Sequence, residues 1–226
     1  MTQDEAKLLA ARRAVAFVSD GMNVGLGTGT TATLFIKELG KAVQGGLRIK
    51  AIATSDASRT LATQLGIPIT NFDETPVLDV NVDGADEVAP GLALIKGGGG
   101  AHLREKIVAS AAREFIVVAD ESKVVEKLGK FPLPVEVIQL ALPLVRRRLE
   151  GLGLNPTLRP ARDGAGPWIT DEGNVILDCH CGVIENPEET AAEIRSIVGV
   201  VEHGLFLGMA TLALVAGENG VRELRP

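Results

Sequence analysis

A chain of 226 residues, 46% of them apolar, can build a sizeable core as one large α/β domain or as a main domain with a smaller companion. A formal charge of −6, with six Phe, one Trp and no Tyr, argues against a nucleic-acid groove, which needs basic and stacking surface. No signal-like segment opens the sequence and its apolar runs stop short of the roughly 20 residues that cross a bilayer, which predicts a cytoplasmic protein with no membrane partner.

The first 120 residues alternate between strand-like and helix-like segments. "TQDE" at the start reads as a capping box, Thr2 with Glu5 three residues on. "MNVGLG" is a short apolar strand, and "TATLFIKELGKAV" has helical spacing. "RIKAIAT" predicts a strand and "DASRTLATQLG" a helix closed by Gly66. "VLDVNVD" alternates, with Leu78, Val80 and Val82 on one face, and "LALI" is a further short strand. After "KGGGG" the spacing predicts a helix to about Arg113, followed by the strand "EFIVVAD". Such alternation indicates βαβ units and a largely parallel sheet flanked by helices.

"GKFPLPVEVI" breaks this rhythm with Pro132 and Pro134. Beyond it the expected elements are a strand (135–138), a helix (141–151), strands near 155–158, 168–170 and 175–178, a helix (188–197) and a strand (200–205). That order predicts a second, smaller α+β domain over 131–205, with 1–130 plus 206–226 as the main one. "MATLALVAG" would return to the first sheet as an extra strand.

In open α/β sheets, ligands bind beyond the carboxyl ends of the strands. The segments that follow the predicted strands are "TGTT", "SDAS", "GADE", "KGGGG" and "ESK", all small, hydroxylated, acidic or cationic. That set suits a small polar anion such as a phosphorylated metabolite. "GLGTGTTA" places Thr28, Gly29, Thr30 and Thr31 at a helix start, either as an anion-binding loop or as an ordinary threonine-rich cap. It is not a Walker loop, because no Lys-Ser/Thr pair follows the glycines. "DVNVDG" imitates half of a calcium loop, but Pro90 occupies the twelfth loop position and calcium is rejected. What remains is Asp83 and Asp86 around Gly84 and Ala85, as turn formers or as working carboxylates. Lys96 and Glu105 flank the glycines; each is an ordinary surface charge unless the glycines bring an oxygen-rich ligand against the backbone. Residues 84–91 are too few for a helical crossover, and a simple hairpin would set Asp83 and Lys96 at opposite ends of a sheet.

Cys179 and Cys181 would share a strand face, and no second cluster completes a metal site. They read as small buried hydrophobes, with no metal predicted. Arg146, Arg147 and Arg148 read as a solvated helix face or part of a subunit contact.

"GLGTGTTA", "TSDAS", "VDGADE", "IKGGGGAHLREKIVAS", "ADESKVVEKLGKFPLPVEVI" and "GNVILDCH", in this order and over nearly the whole chain, resemble type A ribose-5-phosphate isomerases. The resemblance implies a Rossmann-like domain with a smaller α+β domain, assembled as a homodimer or homotetramer. It implies interconversion of ribose 5-phosphate and ribulose 5-phosphate without metal or cofactor. Its proton-accepting glutamate falls on Glu105 and its binding lysine on Lys123. The phosphate-loop positions are Thr28 to Thr31, with Thr30 where a serine is usual; the remaining groups are Asp83 to Asp86, and Lys96 with Gly97, Gly98 and Gly99. Lys7 resembles a phosphate contact, and Thr211 stands where an aspartate is common. The resemblance also implies that 84–91 fold back so that Asp83 and Lys96 both face the sugar. The rival expectations are a sugar-phosphate sensor without catalysis, or a sugar-phosphate deaminase or lactonase.

Overall fold

Strands that alternate with helices and carry apolar residues on both faces pair in parallel under two helical layers. In the computed structural model, which describes residues 1–226, this is the first of two units, formed by Met1–Ala85, Arg104–Val124 and Gly208–Pro226. Its six-stranded sheet comprises β1 (Asn23–Leu26), β2 (Lys50–Ala53), β3 (Leu78–Asp83), β6 (Ala112–Asp120), β12 (Leu212–Gly217) and β13 (Gly220–Leu224). Their order is β13-β12-β6-β3-β1-β2, and every pairing is parallel except β12 with β13.

One face is covered by α1 (Gln3–Val15) and α2 (Thr30–Gln44). Phe35, Ile36 and Leu39 of α2 and Ala10, Ala11 and Ala14 of α1 pack with Val24, Leu26, Val80, Val82, Ile116 and Leu214. Each large side chain buried in this way contributes about 1.5–3 kcal/mol. α1 starts at the expected capping box, with Thr2 and Glu5 bonded reciprocally. On the other face Val108 of α4 (His102–Ser110) packs with Ile52 and Leu78. The remaining helix, α3 (Asp56–Gln64), is capped by Ser55, which accepts from the Ser58 N–H at 3.1 Å.

The second unit consists of Asp86–Leu103 and Val125–Leu207. It contains a three-stranded antiparallel sheet, with β5 (Leu94–Ile95) between β4 (Glu87–Val88) and β11 (Leu205–Phe206). A four-stranded antiparallel sheet has the order β10-β7-β9-β8, from β7 (Leu133–Val137), β8 (Pro156–Leu158), β9 (Val175–Cys179) and β10 (Val200–His203). Leu133, Val135, Val137 and Leu177 pack with Val145 and Leu149 of α5 (Leu142–Gly151) and Ile194 of α6 (Pro187–Arg195).

The order of elements follows expectation, with several local differences. α4 ends at Ser110 rather than near Arg113, because residues 112–114 extend β6 and pair with β3, Ala112 opposite Leu78 and Glu114 opposite Val80. "LALI" is not a strand of the parallel sheet: β5 pairs only with β4 and β11, and β3 pairs with β1 and β6. β4 and β5 form the hairpin, around a 3₁₀ turn at Pro90–Leu92, and it carries residues 86–103 into the second unit instead of the first. Residues 168–170 form only an isolated bridge, Ile169 with Val175. The strand expected at 200–205 divides at Gly204, whose N–H donates to Pro134 O at 2.8 Å. β13, unforeseen, is a polar edge strand joined to β12 by the two-residue turn Glu218–Asn219 and opening at Gly220, φ +98°.

Candidate active site

Since β1, β2, β3, β6 and β12 run parallel, the segments that follow them emerge on one edge of the sheet. The chain builds outward from β1 to β2 on one side and through β3, β6 and β12 on the other, so the order reverses between β1 and β3. Ligands of open α/β sheets bind beyond the strand ends at such a reversal, which here falls between the ends of β1 and β3.

At that point the loop after β1 meets the last residue of β3. The Thr28 N–H donates to Asp83 Oδ1 at 3.0 Å, and the Gly84 N–H donates to the same oxygen at 2.7 Å. Asp83 is completely buried, and Gly27 is pressed so closely on it that a β-carbon there would lie 2.1 Å from Oδ1 and 2.6 Å from the Asp83 Cα. Only glycine permits that approach. α2 then starts at Gly29, φ +106°, with no side-chain cap on its first N–H groups. Thr30 is exposed and Thr31 is buried at the same helix end. A helix start with open N–H groups and flanking hydroxyls suits an anion.

Behind the loop lies a cluster of hydroxyls to which the sequence reading assigned no role. Thr28 Oγ1 lies 2.7 Å from Thr54 Oγ1 and donates to Ser55 Oγ at 2.8 Å. Ser58 Oγ donates to Gly27 O at 2.7 Å, and Thr54 Oγ1 to Leu26 O at 3.0 Å. "TSDAS" after β2 was the available signal: three hydroxyls where a strand meets a helix.

Glu105 occupies the first turn of α4 and is only 3% exposed. Its helix shows His102, Glu105, Val108 and Ala109 on the buried side, a spacing of three and four. Val108, one turn beyond Glu105, packs so tightly on β1 that a β-carbon at Gly25 would lie 2.7 Å from its Cγ1. The backbone amides at the head of α4 favour a negative charge at Glu105. Lys123 ends a short 3₁₀ turn directly after β6; Asp120 caps the turn by accepting from the Ser122 N–H at 3.1 Å. Lys7 lies on α1, its Nζ 3.8 Å from Asp4 Oδ1.

The other candidates belong to the second unit. Asp86 stands before β4, and its Oδ2 accepts the Gly98 N–H at 2.8 Å. Lys96 follows β5 and is 2% exposed, with its Nζ 5.5 Å from the centre of the Phe206 ring. The glycines after it turn the backbone sharply: Gly97 has φ +112° and is buried, while Gly98 and Gly99 are exposed. A β-carbon on Gly98 would approach Asp86 Oδ1 to 2.7 Å. Thr28, Asp83 and Gly84 are thus brought together in one unit, and Asp86 with Gly97 and Gly98 in the other. Arg159, which the sequence reading did not single out, donates from Nη1 to Gly97 O at 2.8 Å.

The thiols fall outside these clusters. Burial pushes Cys181 up to about 11 and Cys179 higher still, with the neighbouring Cys181 and Asp178 adding to the shift at Cys179. A cavity of about 540 Å³ lies instead at the amino ends of the strands, lined by Asn23, Lys50, Asp79 and Arg113. Its Arg113 is already paired with Asp79 at 3.1 Å, and it contains none of the candidate residues. No helix is long and apolar enough to cross a membrane.

Comparison with known proteins places the chain in a family. Residues 50–220 match the family model described as Ribose 5-phosphate isomerase A (phosphoriboisomerase A). The chain is 54% identical over 218 residues to a protein of Roseiflexus castenholzii named ribose-5-phosphate isomerase A, covering 95% of this chain and 93% of that one. The solved ribose 5-phosphate isomerase A of Methanocaldococcus jannaschii superposes with a TM-score of 0.95 at 45% identity, over 100% of both chains. A D-ribose-5-phosphate isomerase solved in complex with phospho-erythronic acid gives 0.97 at 40% identity, also over 100% of both chains. The chain belongs to the ribose 5-phosphate isomerase A family.

Proposed function

We propose that this protein interconverts D-ribose 5-phosphate and D-ribulose 5-phosphate by proton transfer through a cis-enediolate, with no metal taking part. The observation that carries the reading is Glu105, a buried carboxylate in the first turn of α4 in a chain of this family. A relative of the same architecture is solved with phospho-erythronic acid, a phosphorylated sugar acid, which supports a sugar-phosphate substrate.

Isomerisation needs one base that reaches C1 and C2, and groups that stabilise charge on O1 and O2. The Glu105 carboxylate takes the proton from C2 of the open-chain aldose. The electron pair passes into the C1–C2 bond, and negative charge develops on O1. The proton returns to C1 while the O2 hydroxyl proton moves to O1, leaving the ketone at C2. Lys96 stabilises the oxyanion; Asp83 and Asp86 handle hydroxyl protons, including those moved in ring opening. Thr28 to Thr31 hold the phosphate, with Lys7 as a further phosphate contact, and Lys123 binds substrate. Ala85, Gly97 and Gly99 offer backbone N–H groups to sugar oxygens, while Gly84 and Gly98 let the backbone pass close to the substrate with their N–H groups on Asp83 and Asp86.

The test is proton NMR of ribose 5-phosphate with the protein in D₂O containing EDTA. Deuterium at C1 of the ribulose 5-phosphate formed, or at C2 of the ribose 5-phosphate that returns from it, supports metal-free proton transfer. Isomer without label would mean a base shielded from solvent, and no isomer from folded protein would return the chain to a sugar-phosphate sensor. Glu105→Gln, nearly isosteric, should lower kcat by about 10²–10⁴-fold; a near-wild-type kcat would remove Glu105 as the base.

A further inference from the structure

A glycine-rich loop that must present a particular N–H has a physical problem. Glycine peptides rotate with little steric penalty, so the orientation of Gly97–Gly98 depends on what bonds its two ends. If that peptide flipped, its carbonyl would face the Asp86 carboxylate in place of the Gly98 N–H that now bonds Oδ2 at 2.8 Å. The carbonyl end accepts the Gly100 N–H at 3.0 Å within the loop, and a charged donor from outside the loop must fix it to the rest of the unit.

Arg159 does so from a distant part of the same unit. It follows β8, and its backbone is held on both sides, its N–H donating to Ile176 O at 2.9 Å and its carbonyl accepting from the Trp168 N–H at 2.8 Å. Its guanidinium is oriented by Asp178 of β9: Nε donates to Oδ2 at 2.8 Å and Nη2 donates to Oδ1. The two side chains are 11% and 20% exposed. Nη1, the remaining arm of the fork, donates to Gly97 O at 2.8 Å and approaches Gly98 O at 3.4 Å.

We infer that Arg159 is a positioning residue that sets the Asp86 carboxylate through the Gly97–Gly98 peptide, with Asp178 fixing its own orientation. The peptide has a cation on its oxygen and a carboxylate on its N–H, so both charges align with the peptide dipole and each hydrogen bond strengthens the other. A lysine at 159 supplies the charge but cannot bond Asp178 and Gly97 O in one planar fork. The inference rests on the role proposed above for Asp86.

The experiment is a double-mutant cycle in the isomerisation assay, using Arg159→Met, Asp86→Asn and the pair, with thermal unfolding of each. A carboxylate misplaced by about 1 Å costs up to about 10²-fold, so Arg159→Met is expected to lower kcat by about 10–100-fold with little change in KM. Arg159→Lys should recover part of that loss. On the Asp86→Asn background, Arg159→Met should cost less than about threefold. Fully additive losses, or an unchanged kcat in Arg159→Met, would overturn the inference and leave Arg159–Asp178 an ordinary ion pair. If Arg159→Met fails to fold, Arg159→Lys carries the same cycle. A wild-type kcat in Asp86→Asn overturns the proposed role of Asp86 and the positioning role with it, whereas a defective Asp86→Asn beside a normal Arg159→Met overturns the positioning role alone.

Discussion

Gly27→Ala is a sharp test of the contact at the sheet's reversal point, because it adds a single methyl group and no backbone strain. Gly27 does not adopt a left-handed conformation, so only space is at issue. The added carbon would lie 2.6 Å from the Asp83 Cα and 2.1 Å from its Oδ1. Carbon atoms settle at roughly 3.5–4.0 Å, so the ends of β1 and β3 must separate by about 1 Å. The Asp83 carboxylate could turn away only by giving up its bond from the Thr28 N–H at 3.0 Å, and its Cα is backbone that cannot swing aside. Overpacking of this kind costs about 1–3 kcal/mol, or roughly 2–12 °C in Tm for a chain of this length. The same displacement at a working carboxylate should lower kcat by about 10²-fold. Isomerisation kinetics with thermal unfolding read both effects. Gly151→Ala serves as control, since nothing lies within 4 Å of its added carbon at the end of α5. Wild-type kcat and Tm in Gly27→Ala would refute both the tight approach and the role placed on Asp83.

Glu87 accepts the Gly129 N–H at 2.7 Å and the Phe131 N–H at 2.6 Å, so Glu87→Ala leaves two donors unmet and should cost about 2–5 kcal/mol, read from the urea midpoint; an unchanged midpoint would mean that those donors find other partners. Lys123→Ala should chiefly raise KM, by about 10–100-fold, as loss of a charged contact to bound substrate does; equal falls in kcat and kcat/KM would assign it to the transition state instead. Cys181, raised to about 11 from 9.0, is almost wholly a thiol at pH 8, so iodoacetamide should modify the native protein at least about 100-fold more slowly than the urea-unfolded chain. Because the folded value is the higher one, the stability linked to this thiol is complete below pH 9.0 and is lost as pH rises toward about 11; equal alkylation rates in the two states would contradict the burial.

Much of the architecture could be read from the sequence because its causes are local. Period-two and period-3.6 apolar spacing reflect side-chain direction along strand and helix. That is why β1, α2, β2, α3 and β3 appear where expected, and why the Thr2–Glu5 box opens α1. Candidate residues were legible by the same logic, since small and polar residues after apolar strands mark the edge where a parallel sheet opens. "LALI" shows the limit: a short apolar run states that it is buried, not which sheet it joins. Pairing partners are chosen by contacts between distant segments, and β5 takes β11, more than a hundred residues away, over β3. β13 was missed for a related reason, as a polar edge strand carries little apolar pattern.

By itself, then, the sequence determined the alternation of elements, the presence of two units and the residue types available to the chemistry, all set by nearest-neighbour sterics and the segregation of apolar surface. Only the tertiary structure decided that Thr28 meets Asp83 across the reversal between β1 and β3, that Thr54, Ser55 and Ser58 stand behind Thr28, and that Arg159 grips a loop 61 residues away. Those contacts depend on strand order and on where each backbone turn points a hydrogen bond, and no stretch of neighbouring residues encodes either.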